Sequence, residues 1–146
     1  MSVKLLIILI LLLSNAVYAQ KDIDLESQFN KELSAEERAK VKDKIFEFSQ
    51  QINQDSENYI HYYNRGVMYG RLGLHNDAIS DYNKALKLKE DFPQGYYNRG
   101  MSRARFGYTK TSCTDIKKSA ELGFSPAVTL YKSKCGFYFE ELGELP

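Results

Sequence analysis

Histidine and cysteine are the side chains on which nucleophilic or metal chemistry would be built, and this chain has two of each: His61, His75, Cys113 and Cys135. Their spacing suits neither use. No serine-centred elbow or Cys-His arrangement is present, and there is no glycine-rich phosphate loop, HExxH or calcium-loop carboxylate series. Two cysteines without a nearby histidine cannot complete a tetrahedral metal shell, so no metal and no cofactor are expected. Glu140 and Glu141 could be read as an acid and base pair, but adjacent acids in a tail are read as a solvated face. The chain is therefore not expected to be an enzyme. What remains is the chemistry of recognition. At 3.6-residue spacing Ile60, Tyr63, Asn64, Val67, Gly70 and Arg71 share one face, and Gln94, Tyr97, Asn98, Met101, Ala104 and Arg105 repeat it. An aromatic ring, a carboxamide and a cation recur at each step. Arg71 and Arg105 would attract acidic side chains or a terminal carboxylate.

Composition gives no support for a nucleic-acid or anionic-membrane surface. The 146 residues hold 20 Lys+Arg against 19 Asp+Glu, for a net charge of +1, so there is no polybasic excess for nucleic acid or an anionic membrane. Lys4 precedes nine apolar residues, Leu5 to Leu13, and the stretch closes on Val17-Tyr18-Ala19. That pattern reads as a signal peptide over residues 1–19, because the apolar run is shorter than the ~20 residues a bilayer-spanning helix requires. The expectation is export to a periplasmic or secreted location after cleavage near Ala19, with no retained membrane anchor.

The elements that must carry the recognition face are legible from punctuation. All nine glycines lie at Gly66 or later, so the first half should be long helix. Ser34-Ala35-Glu36-Glu37 is a capping-box pattern, and Val41, Ile45, Phe48 and Ile52 form a stripe, which predicts a helix over residues 35–53. A shorter helix over 22–32 has only Ile23, Leu25 and Phe29 on its apolar side. Tyr62-Tyr63-Asn64-Arg65-Gly66 then recurs as Tyr96-Tyr97-Asn98-Arg99-Gly100, an offset of 34, and sliding residues 59–88 onto 93–122 gives ten identities in thirty. Each copy should be a helical hairpin, with helices at 59–72 and 75–89, then 93–106 and 109–122. Gly73, Gly107 and Gly123 fall where a left-handed C-cap is required. Ser125 as N-cap with Pro126 at the first helical position opens a closing helix over roughly 126–139.

Antiparallel helices joined at Gly123 place Cys113 beside Cys135, and an exported chain meets an oxidising compartment, so a Cys113–Cys135 disulfide is the preferred reading. Two buried free thiols are the alternative. The small residues Gly66 and Ala78, then Gly100 and Ser112, would let the paired helices approach closely.

A 34-residue helix-turn-helix unit with Tyr62, Gly66, Tyr69, Ala78, Tyr82 and Ala85 at its key positions resembles the tetratricopeptide repeat. In the second copy Tyr96 and Gly100 match, while Arg103, Ser112, Ile116 and Ser119 replace an aromatic, Ala, an aromatic and Ala. Both copies carry Arg65 and Arg99 where the family often has Leu. Asp81 and Asp115 recur at the same period, so structural ion pairing is expected for these arginines. The resemblance implies an all-α, right-handed solenoid of two hairpin units, at 59–92 and 93–126, with a helical segment over 20–58 and a capping helix and tail over 127–146. It also implies binding of a peptide or partner protein on the concave face, through Tyr63, Asn64, Val67, Arg71, Tyr97, Asn98, Met101 and Arg105. In such proteins an Asn at the positions of Asn64 and Asn98 often pairs with ligand backbone, and a carboxamide suits this because it offers both a donor and an acceptor. Two alternatives stand beside that reading. Tyr63, Tyr97, Asn64 and Asn98 could serve only the scaffold, or the repeat ends could stack in a self-assembling structural protein.

Overall fold

A computed structural model describes residues 33–140. The expected leader at 1–19 and the short helix at 22–32 lie outside the described residues. Among the described residues every regular element is helical. Helix α1 spans Ala35–Gln54, α2 Tyr59–Arg71, α3 His75–Leu88, α4 Pro93–Arg103, α5 Lys110–Glu121, α6 Ser125–Leu130 and α7 Phe137–Glu140. The hairpins are α2 with α3 and α4 with α5, and contacts of α1 with α2, α3 with α4 and α5 with α6 join them in a row. This is the all-α hairpin solenoid expected from the repeat.

Local chemistry explains each boundary. The Asn58 side chain accepts from the Ile60 amide at 3.2 Å and so opens α2. Thr109 and Ser112 form a reciprocal capping box that opens α5, with Ser112 Oγ accepting from the Thr109 amide at 2.9 Å. Pro93, which lacks the amide a first turn would leave unpaired, opens α4. At the other ends, Leu74 N donates to Tyr69 O at 3.0 Å and Phe124 N donates to Ser119 O at 3.1 Å, around Gly73 at φ 75° and Gly123 at φ 83°. Those two glycines are the left-handed caps their positions predict.

Gly107 differs. Helix α4 stops at Arg103, three residues short of expectation, and continues as a 3-10 turn over Ala104–Phe106. Gly107 then adopts φ 120° and ψ 154°, outside the left-handed helical basin, and swings the chain into the extended Thr109 cap. The closing helix also departs from expectation. Phe124, not Ser125, occupies the N-cap position and offers no side-chain bond. The helix is interrupted by a π-helical turn, Tyr131–Cys135, before α7 begins. This wider turn buries both Tyr131 and Cys135 against α5.

Gly66 and Gly100 set the hairpin spacing. A Cβ on Gly66 would lie 2.8 Å from a ring carbon of Tyr82, whereas one on Gly100 would lie 2.9 Å from Ile116 Cγ1 and 3.0 Å from the Ser112 carbonyl oxygen. A ring can tilt, but a helix backbone cannot yield alone. Gly100→Ala is therefore expected to destabilise by about 2–3 kcal/mol and Gly66→Ala by about half that, read as shifts of the thermal midpoint. The serines that replace alanine in the second unit are fully buried and satisfied, since Ser119 Oγ donates to Pro93 O at 2.8 Å and Ser112 Oγ to Thr109 O at 3.0 Å. The core around them is Cys113, Ile116, Ala127, Tyr131 and Cys135, with Tyr97, Tyr108 and Phe124 at its margin.

Candidate functional site

The two first helices of the hairpins, α2 and α4, carry the recurring aromatic, carboxamide and cation. Tyr63 is half-buried at the junction between hairpins, its ring edge-on to Phe92 at 4.8 Å and tilted against Tyr82 at 6.0 Å. Tyr97 repeats the arrangement against Phe124 at 5.2 Å. Both rings thus anchor one hairpin to the next and expose only part of their surface. Asn98 Nδ2 donates to Tyr63 Oη at 3.0 Å, so the structure joins two of the predicted residues directly. Burial raises the Tyr63 phenol above its ordinary pKa, and the bond from Asn98 partly offsets this. Among the described residues the Asn98 carboxamide oxygen accepts no hydrogen bond. Asn64 makes no side-chain hydrogen bond among the described residues and offers both its donor and its acceptor.

Val67 and Met101 are half-buried one turn further on, and supply the apolar floor. Arg71 and Arg105 are exposed and form no ion pair among the described residues. Arg71 turns toward α1, where it lines a shallow groove with Glu37, Lys40, Val41, Lys44 and Met68. Arg105 lies close enough to His75 to act on it. Burial first, and the Arg105 charge second, hold the His75 imidazole below its usual pKa.

Arg65 and Arg99 belong to the scaffold. Arg65 grips Asp81 with two bonds of 2.8 Å, and Arg99 grips Asp115 at 3.0 and 2.7 Å. The repeat period alone also predicts these pairs. Each arginine has a third bond that sequence reasoning missed, from Arg65 Nη1 to Ser49 Oγ at 3.1 Å and from Arg99 Nη1 to Asn83 Oδ1 at 2.8 Å. Ser49 and Asn83 stand 34 residues apart on α1 and α3, and that shared spacing was the available signal. Arg103, at the position of Tyr69 in the first copy, adds a 2.6 Å bond to Asp115. Tyr69 instead lends its ring to Arg65, 5.8 Å from the guanidinium carbon.

The structure joins Cys113 and Cys135 in a disulfide, with Cα atoms 5.4 Å apart. Among the described residues no group of three His, Cys, Asp or Glu side chains could hold a metal ion.

The tetratricopeptide-repeat family model matches residues 60–92, the first hairpin with its connection to α4. DnaJ homolog subfamily C member 3 of Gallus gallus is 34% identical over 71 residues, which is 49% of this chain and 14% of the relative. The chain thus spans about a seventh of the length of that curated relative. A solved structure of similar fold is the first TPR of Spaghetti (RPAP3), bound to the HSP90 peptide SRMEEVD, with a TM-score of 0.56 and 19% identity over 70% of this chain and 94% of that one. Hairpin geometry, repeat motif and these likenesses agree: the chain carries a tetratricopeptide repeat over residues 60–92 within an all-α hairpin fold.

Proposed function

We propose that this chain is an exported, non-enzymatic interaction module that holds an extended segment of a partner protein across α2 and α4. The observation that carries the reading is the Asn64 carboxamide, which has both hydrogen-bonding functions uncommitted among the described residues, one helical turn from Val67 and two from the exposed Arg71. A peptide group presents the complementary donor and acceptor, so such a carboxamide reads backbone independently of sequence, while Arg71 and Arg105 favour acidic side chains or a carboxylate. The similar RPAP3 repeat holds a peptide containing two glutamates and an aspartate, which supports the same ligand chemistry here. Export is supported by the apolar run Leu5 to Leu13, the Val17-Tyr18-Ala19 ending and the pairing of both cysteines.

Cross-linking and pull-down from the native compartment tests the reading. Asn64→Ala leaves the Tyr63–Asn98 bond in place and is expected to weaken partner capture about tenfold, equivalent to about 1.4 kcal/mol, with helicity unchanged by circular dichroism. Asn64→Ala combined with Asn98→Ala should abolish it. Capture by the double variant equal to that of the parent chain would refute the groove.

A further inference from the structure

The near-neutral total charge hides a local imbalance at the C-terminal hairpin. Between residues 104 and 138 the acids are Asp115, which is buried beneath Arg99 and Arg103, and Glu121, at the far end of α5 from its Thr109 cap. Arg105, Lys110 and Lys134 are exposed and enter no ion pair among the described residues. Two links gather them. The Cys113–Cys135 disulfide brings Lys134 to the start of α5, where Lys110 stands, and Tyr138 Oη donates to Tyr108 O at 2.6 Å, which fixes α7 against the turn that follows Arg105. On that turn Phe106 is 98% exposed, a ring with no cover from the fold.

The chain leaves the described fold at this same place. Residues 140–146, Glu-Glu-Leu-Gly-Glu-Leu-Pro, hold three carboxylates and two leucines and no cation. Six residues beyond Glu140 reach about 20 Å at roughly 3.4 Å per residue, and Arg105 and Lys110 are only three and two residues from the anchored Tyr108. We propose that this acidic segment docks in cis on the edge formed by Arg105, Phe106, Lys110 and Lys134, with carboxylates meeting the cations and a leucine covering the Phe106 ring. Its proximity makes the contact intramolecular, so a short acidic-aliphatic sequence suffices where a free peptide of the same composition would bind weakly. Arg105 also belongs to the groove, so the docked segment would compete with an acidic ligand for that end. This second consequence rests on the groove reading, whereas the docking itself does not.

A zero-length carbodiimide cross-link on the full exported chain, with no ligand added, tests the docking alone. The reagent condenses a glutamate carboxyl with a lysine Nζ only when the two are in contact. Amides from Glu141 or Glu144 to Lys110 or Lys134 are expected in the monomer, reduced about fivefold or more by 0.5 M salt and by Arg105→Glu, whose exposed side chain leaves the fold intact. Three outcomes would overturn it: no such link in the monomer, links confined to a dimer band, or links insensitive to both salt and Arg105→Glu.

Discussion

Asp115→Ala is expected to cost about 3 kcal/mol, a large share of the ~5–15 kcal/mol that holds a domain of this size. The carboxylate side chain is 4% exposed and accepts from Arg99 through Nε and Nη2 and from Arg103 through Nη1. Removing it strands two guanidinium groups that are only 16% and 27% exposed. Both side chains keep only partial access to water. Breaking a buried pair from one side is therefore far more costly than the net worth of the pair, because desolvation has already been incurred by the surviving charges. Partial solvent access keeps the figure at the low end of the usual range. Asp81 supplies the comparison, since among the described residues its side chain pairs with Arg65 alone. Asp81→Ala should cost about 2 kcal/mol, with Ser49 and the rings of Tyr62 and Tyr69 still beside the arginine. Urea unfolding reads both as changes of midpoint at constant slope. Equal midpoints for the two variants would mean that Arg103 contributes nothing.

The disulfide should rank beside Asp115. Cys113 and Cys135 are 22 residues apart in sequence, and closing a loop of that length contributes about 3 kcal/mol in the chain-entropy model. Cys113→Ser with Cys135→Ser is expected to lower stability by that amount, and by more where the serine hydroxyls find no partner in a core whose cysteines are fully buried. The loss should be uneven. The bond ties the π-helical turn to α5, so amide exchange should quicken first in α6 and α7 while α2 and α3 keep their protection. Reduction by dithiothreitol should be slow in the folded protein, because both sulfurs are shielded until the closing helix opens. Mass spectrometry of the unreduced chain fixes the starting state, two hydrogens lighter than the dithiol.

The hairpins, the turns at Gly73 and Gly123 and both Arg–Asp pairs follow from one fact, the 34-residue period. Their contacts are made within a repeat, and spacing along one helix or across one hairpin is determined by the period itself. The contacts between repeats were less legible. Tyr63 and Asn98 are 35 residues apart, and whether one reaches the other depends on how the hairpins twist over one another. Asn98 thus combines the two roles open to it, its amide partly engaged by the scaffold, while Asn64 makes no side-chain hydrogen bond among the described residues. The early end of α4 and the π-helical turn escaped for a related reason. Arg103, the last residue of α4, is held by Asp115, and Cys135 in the π-helical turn is tied to Cys113, tertiary contacts that local pattern does not encode.

The third bond of each arginine has an evolutionary reading. Arg65 reaches back sixteen residues to Ser49 and forward sixteen to Asp81, and Arg99 does the same to Asn83 and Asp115. A ruler with two equal arms tolerates duplication only in whole steps. One codon inserted inside a helix between an arginine and its partner would slide that partner about 100° around the helix and leave a guanidinium facing carbon. Thirty-four residues beyond Arg99 stands Ser133, which cannot act as the next mark on that ruler. Arg65 and Arg99 thus mark the two units that the period repeats, and the segment from Ser125 to Glu140 carries no third mark.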